Sequence, residues 1–167
     1  MALIQCFIDI CLFRRGPQDV PLSSVLLALA LTGNLLVSVA LGLFDLELGI
    51  ALLQSMAAVL LMGGYVWGLL RLWGKSGRFV QTLTAAYACD ALISCAAMTL
   101  LLAAHLLPEW VALLGIPLLV VTMWQMAVFA HVLRRGLSIG LAGGAGLSLA
   151  YTAFVIRLMM LLFPHSV

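Results

Sequence analysis

Five long runs of apolar residues, separated by short polar connections, constrain this chain more than any other feature. They cover about residues 22–43, 48–70, 79–106, 110–132 and 137–163. A helix needs about 20 mostly apolar residues to cross the hydrocarbon core of a bilayer, so each run predicts one transmembrane helix. The chain has 65% hydrophobic and 8% charged residues, whereas soluble domains are about half apolar and a quarter charged. The predicted fold is therefore an all-α membrane protein, a compact bundle of five transmembrane helices within residues 16–167.

The first apolar segment is too short to cross a bilayer, and it predicts a separate element over residues 1–15. Its apolar residues Leu3, Ile4, Phe7, Ile8 and Cys11 fall on one helical face, with Gln5 and Asp9 on another. This pattern is typical of an amphipathic helix in the membrane interface. Because Arg14 and Arg15 follow the apolar residues instead of preceding them, the segment does not have the pattern of a secretory signal peptide. Gly16 and Pro17 end the helix, and Asp19 is expected to cap the first span near Pro21.

The basic residues alternate between connections in a way that predicts the orientation. Seven of the eight Lys and Arg residues precede the first span or lie between spans two and three or four and five. The intervening connections contain Asp45, Glu47 and Glu109 and no basic residue. Since Lys and Arg favour the cytoplasmic side, we expect a cytoplasmic N-terminus and an extracytoplasmic C-terminus. Trp73 and Trp110 are expected at the membrane interfaces.

Several polar side chains are expected near the middle of the bilayer. At about 1.5 Å per helical residue, Asp90 lies roughly 16 Å along the third span, and Tyr87 and Ser94 share its helical face. Residues of other spans reach a similar level, and the predicted polar cluster consists of Asn34, Tyr87, Asp90, Ser94, Gln125 and Tyr151.

The role of Asp90 is open to three interpretations. A protonated Asp90 would form hydrogen bonds that hold helices together. An ionised Asp90 would need a cation, for which Arg157 is the only candidate within a span, although that residue can instead extend toward the headgroups. Asp90 would otherwise belong to a proton or ion pathway, as acidic residues within membranes often do.

Small residues recur every four positions near the fifth span and predict a helix-packing seam. The seam consists of Gly136, Gly140, Gly144 and Ser148. Such residues let helix backbones approach closely in lipid, and the partner helix belongs either to this chain or to another copy. Gly63 and Gly64 are expected to form a second close contact or a kink.

The sequence contains no motif that predicts a catalytic, metal or nucleotide site. The segment GLSIG at 136–140 matches GxSxG, but a hydrolase elbow needs a strand–turn–helix setting, and here it opens an apolar span. The three histidines fall near different span ends, so no metal site, no cofactor and no catalytic residue are predicted. The four cysteines are interpreted as small packing residues, and no basic tract suggests nucleic acid.

Three segments carry a resemblance to a known family. They are RRGPQDVP at 14–21, SGRFVQTLTAAYACDAL at 76–92 and MWQMAVFAHVLRRGLSIGLA at 123–142. With five closely spaced spans, the chain resembles the small bacterial members of the Yip (Ypt-interacting-protein-like) family. Eukaryotic members act with Rab-type GTPases through a longer cytosolic N-terminal region. The resemblance therefore implies a five-span fold and a membrane-organising role, and no catalytic residues.

Two functions follow from these patterns. The first is a non-enzymatic scaffold or accessory protein whose partners are the lipid bilayer and other membrane proteins or further copies of itself. The alternative is a small transporter subunit, coupled to protons or a solute, that uses the polar cluster around Asp90.

Overall fold

The computed structural model describes residues 2–107, 109 and 111–163. In these residues the chain forms six α-helices: α1 (Ala2–Cys11), α2 (Ser24–Gly42), α3 (Leu48–Leu72), α4 (Phe79–Leu106), α5 (Val111–Leu137) and α6 (Leu141–Leu162). Single turns of 3-10 helix cover Pro17–Asp19 and Ser76–Arg78. The helices α2 to α6 are each long and apolar enough to cross a membrane. The prediction of an all-α integral membrane protein with five spans is confirmed.

The α4 helix is the centre of the bundle. It packs along α2 on one side and α5 on the other, while α3 lies against α2 and α6 lies against α5. The α3 and α6 helices also meet, so the five long helices close on each other. Residues 82–89 of α4 are all buried, which explains why this helix can hold an acidic residue away from lipid.

The α5 helix is longer at its C-terminal end than the sequence pattern indicated. Arg134 and Arg135, expected in a connection, lie in its last turn, where basic residues favourably meet the negative end of the helix dipole. Ser138 then adopts a left-handed conformation (φ 52°), and the Ile139 N–H donates to the Arg134 carbonyl at 2.9 Å. The fifth span consequently begins at Leu141 and not at residue 137. The predicted interface position Trp110 lies outside the described residues, as does His165.

The short N-terminal helix is present as α1, and its apolar residues divide between two faces. Cys6, Phe7, Ile10 and Cys11 are buried against the bundle, whereas Leu3, Ile4 and Ile8 are exposed. Of the five residues predicted to share one apolar face, Phe7 and Cys11 therefore pack against the bundle, and the other three do not. A helix that lies between protein and lipid needs an apolar surface on both sides, because both neighbours are apolar.

Contacts with α4 and α5 place α1 beside the middle of these helices. The indole Nε1 of Trp124 donates to the Cys11 carbonyl at 3.0 Å, and Cys89, next to Asp90, contacts the Phe7 carbonyl at 3.8 Å. At 1.5 Å per residue, Trp124 lies about 20 Å from the end of α5. The chain then returns toward the helix ends, where Gln81 Nε2 donates to the Val20 carbonyl at 2.7 Å.

The start of α2 is capped by a different residue from the one predicted. Ser23 Oγ accepts a hydrogen bond from the Leu26 N–H at 3.2 Å, so Ser23 is the N-cap. The Asp19 carboxylate instead accepts from the Gly16 N–H at 2.9 Å. Asp19 therefore stabilises the preceding 3-10 turn, and the prediction that it caps the first span is wrong.

Candidate functional site

Asp90 lies eleven residues along α4 from Phe79, near the middle of the bundle, and is bonded to both flanking helices. The Nδ2 of Asn34 on α2 donates to Asp90 Oδ2 at 2.6 Å. The Nε2 of Gln125 on α5 donates to Asp90 Oδ1. The three side chains occupy the same level of their helices, and each carboxyl oxygen accepts one amide hydrogen bond.

The position of the Asn34 amide is fixed by a second contact. Its Nδ2 also donates to the Tyr87 carbonyl at 3.3 Å, and only the nitrogen of the amide can bond to a carbonyl oxygen. Asn34 is only 3% exposed. One side chain of α2 thus holds both the backbone of α4 and its acidic side chain.

Tyr87 extends the polar cluster toward α3. Its hydroxyl donates to the Val59 carbonyl at 2.7 Å, and the residue is 1% exposed. A Cβ atom on Gly63 would lie 3.0 Å from this hydroxyl. Gly63 therefore leaves the space that Tyr87 occupies, which confirms the expected close contact at that glycine. Gly64 has open space around it.

A cavity of about 210 Å³ lies beside Asp90, between α3, α4, α5 and α6. Gln125, Ser148, Tyr151 and Thr152 are the polar residues that line it together with Asp90 and Thr122. The Tyr151 ring packs between the rings of Tyr65 and Phe129, with centroid distances of 5.0 and 4.9 Å. Of the predicted cluster, the structure therefore joins Asn34, Asp90 and Gln125 directly and places Tyr151 across a cavity.

No family model, curated protein or solved structure matches this chain. The function of the chain is therefore inferred from the geometry of its described residues.

Two residues predicted near Asp90 take no part in its hydrogen bonds. Ser94 shares the helix and is 7% exposed, but its hydroxyl forms no hydrogen bond with the carboxyl group. Arg157 is exposed on α6, and among the described residues the one ion pair joins Arg15 to Asp9 at 3.3 Å. The interpretation of Asp90 as the partner of Arg157 is therefore wrong.

The small residues predicted as one seam belong to two different contacts. A Cβ on Gly144 would lie 2.7 Å from the Ala130 carbonyl, and Ser148 Oγ donates to the Met126 carbonyl at 2.9 Å. These two residues of α6 pack against α5 of the same chain. Gly136 belongs to α5, where a Cβ would lie 2.9 Å from Thr82 of α4. Gly140 has open space, so the four-residue spacing crosses a break between helices and does not describe one surface.

The GxSxG segment lies in the turn between α5 and α6. Ser138 Oγ accepts a hydrogen bond from Arg78 Nη1 at 2.9 Å. His131 is 5% exposed, and its Nε2 lies 2.8 Å from the Arg15 carbonyl oxygen. Each side chain thus has a structural partner on another segment, and the turn is no strand–turn–helix elbow.

The sequence did not indicate the contacts that hold α1, the segment after it and the end of α5 in place. Trp124 and Gln81 donate to the backbone of the N-terminal segment, and Lys75 Nζ donates to the Leu137 carbonyl at the end of α5. These contacts join residues 61 to 113 positions apart, and no local spacing indicates them. The one feature of the sequence that could have indicated the contacts of Gln81 and Trp124 is an N–H donor on an otherwise apolar helix.

Proposed function

We propose that this integral membrane protein is a non-enzymatic scaffold or accessory protein of the Yip-like type. We place it in the bacterial cytoplasmic membrane with its N-terminus in the cytoplasm. The observation that carries this proposal is the pair of amide hydrogen bonds on Asp90, which join α2, α4 and α5 through one side chain.

The geometry of this group favours a structural role for the carboxyl. Both of its oxygens are engaged by side chains of the same protein. Polar side chains within a bilayer often connect helices in this way, because the apolar surroundings offer no other partner. The two side chains that bond to the carboxyl group are amides, which do not titrate, so neither can take a proton from Asp90.

The engagement of the candidate catalytic residues supports the non-enzymatic part of the proposal. Ser138 and His131 are bonded to Arg78 and to the Arg15 carbonyl, respectively. A nucleophilic serine requires a base within hydrogen-bond reach. The partners that these two side chains have support roles in holding segments together.

The outer helices support association with other membrane components. In the apolar windows of α2 and α6 only 6% of the residues are buried inside the bundle. Large faces of both helices thus contact lipid or other membrane proteins, including further copies of this chain.

A second candidate function, a small transporter subunit coupled to protons or a solute, is favoured by the cavity beside Asp90. Its volume of about 210 Å³ and its polar residues Gln125, Ser148 and Thr152 would accommodate water or a small solute. In this alternative the carboxyl group would change its protonation state as the solute moves.

Reconstitution of the purified chain into liposomes that contain a pH-sensitive dye separates the two functions. The scaffold proposal expects no proton flux above that of empty liposomes, either for the wild type or for Asp90→Asn. Asp90→Asn keeps a side chain of equal size whose oxygen can still accept from Asn34 Nδ2, and whose nitrogen can donate to Gln125 Oε1 once the Gln125 amide turns over. A flux that the wild type supports and Asp90→Asn abolishes would contradict the scaffold and establish the transporter.

The scaffold proposal also requires a positive result. In native electrophoresis of gently solubilised membranes, the wild type and Asp90→Asn should both migrate in a complex larger than the purified chain. Both experiments use Asp90→Asn. Electrophoresis reports whether the variant folds and binds its partner, and the liposome assay reports proton flux independently. Migration of the wild type at the size of a free monomer would count against a scaffold.

A further inference from the structure

A basic pocket of about 550 Å³ lies at the end of the bundle where α4 begins, α5 ends and α6 begins. Its side chains come from Gln18, Arg78, Arg134 and Arg135, and its floor is the turn from Ser138 to Leu141. No acidic side chain lines it. The pocket lies well away from the cavity beside Asp90, which has a separate set of lining residues.

The three arginines of this pocket differ in how they are engaged. Arg78 Nη1 donates to Ser138 Oγ at 2.9 Å and to the Gly136 carbonyl at 3.4 Å. Within the described part of the chain, the guanidinium groups of Arg134 and Arg135 form no hydrogen bond or ion pair. Two cations thus face the same cavity, with like charge beside like charge and no protein anion to balance them.

The backbone of the pocket adds further donors. The α6 helix begins at Leu141 with Gly140 as its N-cap, and no side chain caps it. The first N–H groups of a helix have no partner within that helix, and its N-terminus carries a partial positive charge. Because Gly140 and Leu141 line the pocket, the positive end of the α6 dipole adds to the charge of the guanidinium groups of Arg134 and Arg135.

We propose that this pocket binds a phosphate group, carried either by the headgroup of an anionic phospholipid or by a free phosphate compound. Guanidinium groups bind phosphate oxygens through paired N–H donors, and a helix N-terminus binds the same group. Arg134 lies three residues from the end of α5, about 5 Å along its axis, which is the level expected for headgroups. Basic pockets between transmembrane helices are typical sites for anionic lipid headgroups.

Native mass spectrometry of the full chain tests this proposal. The protein is reconstituted in vesicles of phosphatidylcholine mixed with phosphatidic acid, extracted in mild detergent, and examined for retained lipid. The wild type should retain phosphatidic acid in preference to phosphatidylcholine. The double variant Arg134→Gln/Arg135→Gln should retain at least about tenfold less, since one hydrogen-bonded charge pair accounts for about a factor of ten.

The matched control is Arg71→Gln, which removes a basic residue from the same end of the bundle outside the pocket. Arg71 lies over the Trp67 ring at 5.3 Å and does not line the cavity. Retention should be unchanged in this variant. An equal loss in the control and in the double variant would mean that general surface charge attracts the lipid, which would overturn the proposal.

A second arm distinguishes the two sources of phosphate. Inorganic phosphate is titrated by calorimetry into the protein in a detergent without phospholipid. Binding that the double variant abolishes, without selective retention of phosphatidic acid, would support the site with a free phosphate compound as its ligand. Selective retention without binding of inorganic phosphate would support a lipid headgroup, and failure of both would overturn the proposal.

A charge-preserving variant distinguishes loss of phosphate binding from loss of folding. Arg134→Lys/Arg135→Lys keeps both charges and removes the forked donors of the guanidinium groups. It should show intermediate retention with an unchanged helix content by circular dichroism. Equal retention of phosphatidic acid by the wild type, the lysine variant and the glutamine variant would show that the two arginines do not bind phosphate.

Discussion

The side-chain amide of Asn34 on α2 lies 2.6 Å from Asp90 Oδ2 on α4, with Gln125 of α5 bonded to the other oxygen. Three helices that are distant in the sequence are therefore joined through one carboxyl group. The Asn34 amide also reaches the Tyr87 carbonyl, so its removal affects two hydrogen bonds at once.

Replacing Asn34 with alanine should lower the free energy of unfolding by about 1–2 kcal/mol, because hydrogen bonds between membrane helices are individually modest and the change leaves Asp90 Oδ2 unpaired. The measurement is a titration with a denaturing detergent in mixed micelles. The control is Thr122→Ala, since the Thr122 hydroxyl bonds only to its own helix at Leu118. Equal losses in both variants would show that the contact between Asn34 and Asp90 contributes nothing specific.

Replacing Gly144 with alanine should destabilise the protein by about 1–3 kcal/mol, the usual cost of overfilling a packed site. The added Cβ would lie 2.7 Å from both the Ala130 carbonyl oxygen and Arg134 Cβ, which forces α5 and α6 apart. Gly146→Ala on the same helix is the control, as nothing lies within 4 Å of its Cβ position. That change should be neutral or stabilising, because alanine is the better helix former. The same denaturation assay would refute the packing argument if the two variants behaved alike.

The docking of α1 on α4 can be tested by cross-linking, since Cys11 of α1 and Cys89 of α4 are both buried in the same core and the Cys89 thiol lies 3.8 Å from the Phe7 carbonyl, one helical turn before Cys11. In a chain with Cys6→Ala and Cys95→Ala, mild oxidation should join the two remaining cysteines. After proteolysis, mass spectrometry should find the two peptides linked in high yield. The control chain retains Cys11 and the exposed Cys95 and should remain unlinked. Equal yields in the two chains would indicate that α1 is not held at this position.

The proposed orientation predicts the accessibility of two connections. Leu46→Cys lies between α2 and α3, and Ser76→Cys lies between α3 and α4. A membrane-impermeant thiol reagent added to intact cells should label position 46 and should reach position 76 only after the membrane is opened. Labelling of both positions from one side would contradict a single crossing by α3.

The sequence predicted the level of the polar cluster because the rise of a helix is constant. Counting residues was enough to place Asn34, Asp90 and Gln125 at one depth. It could not establish which side chains meet, because that depends on the rotation of each helix about its axis. Ser94 was expected beside Asp90 on this basis, whereas the structure gives the second hydrogen bond to a residue of another helix.

The division of α1 into two apolar faces could not be predicted for a related reason. Protein interior and lipid are both apolar, so Phe7 against α4 and Ile8 against lipid give the same sequence pattern. The prediction of one helix-packing seam was wrong for a different reason. The four-residue spacing from Gly136 to Ser148 continues through the turn at Ser138, although the helix does not. A left-handed residue that is not glycine leaves little trace in the sequence.

The contacts of α1 have a consequence for the order in which this protein can be assembled. The α1 helix rests on Cys89 and Trp124, which are synthesised 82 and 113 residues after the α1 residues that they contact. Its final position does not exist until α5 has entered the membrane. The docking of α1 therefore follows the insertion of α5, and it can precede the insertion of α6.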